Sequence, residues 1–153
     1  MNVLEVLQPD CIKVPLQARD KKSAIEELVD VLAKTGAVSD AAELKVAVWN
    51  REMQRSTGIG EGLAIPHGKG SAVRRLAMAI GVPEHPIAYD SIDHKPVKLI
   101  AMLVSPTEKV TEHVQALGRL SRLMTDAAFR ERTYAAHTAE EMYEIFRKAE
   151  TSE

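Results

Sequence analysis

Cysteine is almost missing from this sequence: Cys11 is the only one. No disulfide can close within the chain, so nothing points to an oxidising compartment. Long apolar runs are missing too, and none approaches the roughly eighteen residues of a membrane-spanning helix. The N-terminal stretch carries Glu5, Asp10, Asp20, Glu26, Glu27 and Asp30 where a secretory leader would need an uninterrupted apolar core. Basic excess is absent, since the formal net charge is -2 with 27% charged residues, which excludes the electrostatic footprint of a nucleic-acid binder. No Cys/His/carboxylate spacing supports zinc, and His85, His94 and His137 fall in connections or turns as solvated residues. The expectation is a cytoplasmic protein with no nucleic-acid partner and no direct membrane insertion. Its 153 residues form a single domain, 1–153, long enough to bury about two-thirds of the unfolded surface.

What is present is concentrated between Ser56 and Gly70, STGIGEGLAIPHGKG, which holds five of the eight glycines. Glycine reaches positive φ and permits close approach, so such a density marks a loop shaped around something. Leu63-Ala64-Ile65 reads as a short strand stopped by Pro66, placing His67 at its end. A neutral imidazole is a good nucleophile near pH 7 when one nitrogen is held and the other exposed. Pro66 fixes the backbone before His67, Gly68 leaves room for a bulky group to reach the ring, and the glycine-flanked N–H groups suit an anion. Two common phosphate motifs are excluded. A Walker A loop ending at Gly68-Lys69 needs glycine at 63 and Ser or Thr at 70, and a dinucleotide fingerprint begun at Gly58 needs Gly or Ala at 63; the chain has Leu63 and Gly70.

STGIGEGLAIPHGK closely resembles the phosphorylation-site signature of the type-2 EIIA domains of the bacterial phosphotransferase system, the fructose, mannitol and nitrogen-regulatory branch. The resemblance implies a phosphoryl group carried on His67, linked at Nε2, although the sequence alone leaves either nitrogen open. It implies an HPr-type donor and, in sugar uptake, a cysteine of a IIB domain as acceptor. In the nitrogen-regulatory branch it implies a regulatory partner selected by phosphorylation state. No cofactor is required. Arg51, five residues before Ser56, reads as a cation at a helix C-terminus. The resemblance places it near the phosphohistidine, where a guanidinium fork suits phosphoryl oxygens. Glu112-His113-Val114-Gln115-Ala116-Leu117 resembles the family's second histidine segment, so His113 stands either as a hydrogen-bonded packing residue or as a donor to the phosphoryl group. Ser56 and Thr57 serve equally well as loop caps or as phosphoryl-binding hydroxyls.

The remaining chain reads as alternating helices and strands. Val3 to Leu7 forms a helical turn ended by Pro9-Asp10. Cys11 to Gln17 alternates like a strand, at a sheet edge because of Pro15. Asp20 caps a helix with Ala24, Ile25, Leu28, Val29 and Leu32 on one face, stopped by Gly36. Asp40 and Glu43 open another, through Leu44, Val46, Ala47 and Trp49 to about Met53. Leu76 to Val82 and Val97 to Val104 are continuous apolar runs, fitting strands covered on both faces, with Glu84 to Lys95 as an exposed connection. Ser105-Pro106-Thr107-Glu108 reads as a helix start, the helix running to about Met124 with Val110, Val114, Leu117 and Ser121 on one line beside Leu120 and Met124. Residues 126 to 136 form another helix. Thr138 and Glu141 cap a last one, with Met142, Ile145, Phe146 and Ala149 inward. The expected architecture is α/β, a central mixed sheet flanked by helices on both faces.

Overall fold

The computed structural model describes residues 1–151. A six-stranded mixed sheet forms its centre, and the two apolar runs form its middle: β5 (Ala77–Pro83) and β6 (Leu99–Ser105) pair antiparallel, and every residue of both is buried. A strand can be apolar on both sides only where both sides are covered. One cluster packs Ala79, Ile100 and Met102 against Ile25, Leu28, Leu44 and Val48 of α1 (Lys21–Lys34) and α2 (Ala41–Gln54). The other packs Ile80, Leu99 and Leu103 against Ala116, Leu120, Phe129, Met142 and Phe146 of α3 (Val110–Leu123), α4 (Ala127–Tyr134) and α5 (Ala139–Thr151).

β1 (Ile12–Leu16) lies parallel to β5 at one edge, where the missing N–H of Pro15 is tolerated. Beyond β6 come β3 (Leu63–Ala64) and then β2 (Gly58–Gly60), while β4 (His67–Lys69) also pairs with β6. Helix caps follow the sequence. The side chain of Asp20 accepts from the Ser23 N–H, that of Asp40 from the Glu43 N–H and that of Thr138 from the Glu141 N–H. Gly36 has φ +84°, a conformation that ends α1 where other residues would be strained.

Four expectations change. Ser105 does not cap a helix: it is the last residue of β6, and α3 begins at Val110 after Lys109, which makes no side-chain cap bond. Val110 and Val114 are exposed, and so is Val46 on α2, because the faces turned to the sheet are His113, Ala116, Leu120 and Leu123 on α3 and Leu44, Val48 and Glu52 on α2. His67 does not sit at a strand's end but opens β4, since pairing to β6 resumes after Pro66. The stretch from Glu84 to Lys95 is not simply exposed, for Ile87, Tyr89 and Ser91 are buried within it. His85, His94 and His137 are exposed, as read from the sequence.

Candidate functional site

Strands β3 and β4 run beside β6 in one register, Ala64 opposite Ile100 and His67 opposite Leu103, interrupted only at Ile65-Pro66. Pro66 has no N–H for the ladder, although its carbonyl still accepts from the Leu103 N–H at 3.0 Å. Ile65 turns its backbone away from β6, its N–H donating to the Thr57 carbonyl at 3.0 Å, and its own carbonyl lies 3.1 Å from Nδ1 of His67. A carbonyl only accepts, so Nδ1 carries the proton and Nε2 carries the lone pair. The Ile65 carbonyl thus sets the tautomer of the histidine that the sequence singled out.

Strand alternation directs His67 to the α3 side of the sheet, the side of Leu63 and Ile65. There its ring meets that of His113, centroids 5.7 Å apart at 72°. Gly68 faces the other way: a Cβ there would stand 2.7 Å from Cγ2 of Val48 on α2. The space at Gly68 is therefore used by α2, a correction to the reading that it clears a path to the ring. Burial foremost lowers the His67 pKa from its ordinary value; the Ile65 bond and the Glu52 charge oppose this, and the Arg51 and Lys69 charges add to it. His113 is pushed down to about 4, by burial first and then by the charges of His67 and Lys69. Both imidazoles are neutral at pH 7.

Arg51, Arg55, Ser56, Thr57 and His67 line one open groove of about 290 Å³, with Ile59, Ile92 and Leu117 supplying apolar contacts. Two guanidinium groups beside an exposed lone pair suit a tetrahedral dianion. Arg51 sits in the last turn of α2 and donates from Nη1 to the Arg55 carbonyl at 3.0 Å. His113 is buried beside the groove, its Nδ1 2.7 Å from Oγ of Ser105. Ser56 donates from Oγ to the Tyr89 carbonyl at 2.9 Å and accepts from the Gly58 N–H at 3.2 Å. Thr57 is buried, its N–H and hydroxyl both donating to the Glu52 carboxylate. Both hydroxyls thus hold the loop in this state.

Sequence reasoning passed over Glu52, which is only 2% exposed. Its carboxylate also accepts from the Tyr89 hydroxyl at 2.9 Å, and Nζ of Lys21 lies 3.5 Å away. Burial, and then the Glu52 charge, hold the Tyr89 phenol well above its ordinary pKa, so it remains a donor. One carboxylate thereby ties α1, α2, the start of the glycine-rich stretch and the 84–95 connection together. A glutamate between Arg51 and Met53 at a helix end reads as solvated, so no local signal marks it. Among the described residues, no group of three or more His, Cys, Asp or Glu side chains is placed to hold a metal ion. No helix among them is long and apolar enough to cross a membrane.

The family described as phosphoenolpyruvate-dependent sugar phosphotransferase system, EIIA 2, matches residues 5–149. A nitrogen regulatory protein of Klebsiella oxytoca is 34% identical over 150 residues, 97% of this chain and 92% of that protein. The fructose-specific EIIABC component of the phosphotransferase system of Bacillus subtilis (strain 168) is 36% identical over 145 residues, 95% of this chain; the chain spans only 23% of that relative's length. The crystal structure of the nitrogen regulatory protein IIA-Ntr from Neisseria meningitidis superposes with a TM-score of 0.85 at 30% identity, covering 93% of this chain and 97% of that one. On this match along nearly its whole length, the chain belongs to the EIIA type-2 family of the phosphotransferase system.

Proposed function

We propose that this protein is a phosphocarrier in which Nε2 of His67 takes a phosphoryl group from an HPr-type protein and passes it to a IIB cysteine. The observation that carries the reading is the Nδ1–H bond to the Ile65 carbonyl, which leaves Nε2 as the free nucleophile at the groove. Phosphoryl transfer depends mainly on positioning and on charge placed around the equatorial oxygens. Nε2 supplies the lone pair, the new N–P bond forming as the donor's P–N bond breaks. Arg51 neutralises the oxygens, and His113 donates to them from the opposite ring. Ser56 and Thr57 enter the phosphoryl shell by exchanging their present partners. The burial-lowered pKa keeps the His67 lone pair available at neutral pH.

A second reading is the regulatory one, in which the charge on His67 selects a protein partner. Its support is the likeness to relatives named nitrogen regulatory protein, 34% and 32% identical over nearly the whole chain.

The test is intact-mass analysis after incubation with phosphoenolpyruvate, enzyme I and HPr. Wild type is expected to gain one acid-labile phosphoryl adduct and His67→Ala none, while the variant keeps its stability within about 1 kcal/mol because the ring is only half-buried. No adduct on wild type, with a control EIIA labelled in the same mixture, refutes the carrier reading. Partner capture by the phosphorylated and unphosphorylated forms then separates the branches: a regulator exchanges partners with the charge.

A further inference from the structure

The serine that the sequence offers as a helix cap has another task. Ser105 is fully buried at the end of β6, where its backbone is already used: it pairs with Lys69 of β4, and its carbonyl accepts from the Gly70 N–H at 3.2 Å. Its hydroxyl meets one partner among the described residues, Nδ1 of His113 at 2.7 Å.

A buried hydroxyl has a proton to place, and an imidazole nitrogen can take or give one. Were Nδ1 the donor, the serine proton would have no acceptor among the described residues. With Oγ donating, both groups are satisfied, and the proton of His113 must reside on Nε2. His113 is neutral at pH 7, so the position of its single proton decides what it offers to the site. Phosphoryl oxygens only accept. An Nε2–H beside them is a donor, whereas a bare Nε2 would repel them.

Resting on the reading of His67 as phosphoryl acceptor, we propose that Ser105 is a positioning residue: by giving its hydroxyl proton to Nδ1 it fixes His113 as the Nε2–H tautomer, a neutral donor to the phosphoryl group. This ties the site to the sheet. His67 and Ser105 stand at the two ends of the short β4/β6 pairing, so one piece of ladder places both imidazoles, whose tautomers the Ile65 carbonyl and the Ser105 hydroxyl set.

The experiment combines long-range ¹H–¹⁵N correlation of the histidine rings in the unphosphorylated protein with single-turnover transfer from phosphorylated HPr. Wild type should show His113 as Nε2–H. Ser105→Ala, a small change that should leave the amide spectrum folded, should move the ring toward Nδ1–H or a mixture and slow transfer about fivefold, the worth of one hydrogen bond of ordinary strength. Ser105→Thr, which keeps the hydroxyl, should restore both. An Nδ1–H ring in wild type, or an unchanged ring or unchanged rate in Ser105→Ala, overturns the assignment. No transfer to a wild type whose ring is Nε2–H refutes the carrier reading and the role in transfer together, whereas an Nδ1–H ring beside normal transfer overturns the role of Ser105 alone.

Discussion

Two segments meet at the groove, Ser56 to Gly70 and Glu84 to Lys95, and they reach order by different means. The first is short-range. Its glycines, its proline and the Ile65 carbonyl act on His67 from within a few residues, and pairing to β6 adds the one long-range hold. The second has few ladder bonds, an isolated bridge between Ile87 and Val97 and one bond from the Ile92 N–H to the Gly58 carbonyl at 3.0 Å. It is anchored by a side chain: Tyr89 is 1% exposed, and its hydroxyl ends on Glu52. A loop that carries a candidate nucleophile can thus be ordered largely from within, while its support comes from far along the chain. Polar composition does not mean exposure when an isoleucine and an aromatic are drawn into the core.

This contrast can be broken at Tyr89, and the largest effect is expected there. Tyr89→Ala removes a fully buried ring and leaves Glu52 short of a donor, which should cost about 3–5 kcal/mol in urea unfolding. A loss below about 1 kcal/mol would mean that the connection is not anchored in this way. Glu52→Gln is the intermediate case. It keeps the shape but removes the charge facing Lys21 and one acceptor shared by Thr57 and Tyr89, for a loss of about 1–3 kcal/mol. Combined with Tyr89→Phe it should be non-additive, and additivity within about 0.3 kcal/mol would place the two segments on separate supports.

A further effect concerns pH, and it separates the imidazole pair from the tyrosine anchor. The folded-state pKa of His113 lies at about 4 against an ordinary 6.5, so the unfolded chain binds the proton first. Stability from this group is complete above pH 6.5 and declines as the pH falls toward 4. His113→Gln should flatten that part of the profile, while Tyr89→Phe should leave its slope unchanged. A slope unaffected by the histidine substitution would show that other groups govern acid unfolding.

Much was legible because its causes are local. The capping aspartates, the glycine after α1, the two buried strands and the proline on the edge strand each follow from what a residue does to its own backbone. His67 stood out as a candidate for the same reason, and Arg51 and His113 were named beside it through the family resemblance; the fold brings Arg51 to the same groove and His113 to the His67 ring. Illegible residues were those whose role depends on a distant partner. Ser105-Pro106-Thr107-Glu108 satisfies every local rule for a helix start, yet β4 and His113 claim Ser105 and α3 begins later. Val110 and Val114 face outward, because the side of α3 turned to β6 carries His113, Ala116 and Leu120 instead.

By itself, the sequence determined the α/β alternation and the buried centre of the sheet and singled out a candidate nucleophile, since periodicity, caps and glycine density act over a few residues. Only the tertiary structure decided which nitrogen of His67 is free, which way the proton of His113 points and why Glu52 is buried. The proton of His113 and the burial of Glu52 depend on partners that the fold brings from other elements, Ser105 and Tyr89, while the Ile65 carbonyl is near His67 in sequence but meets its ring only through a backbone conformation that spacing does not encode.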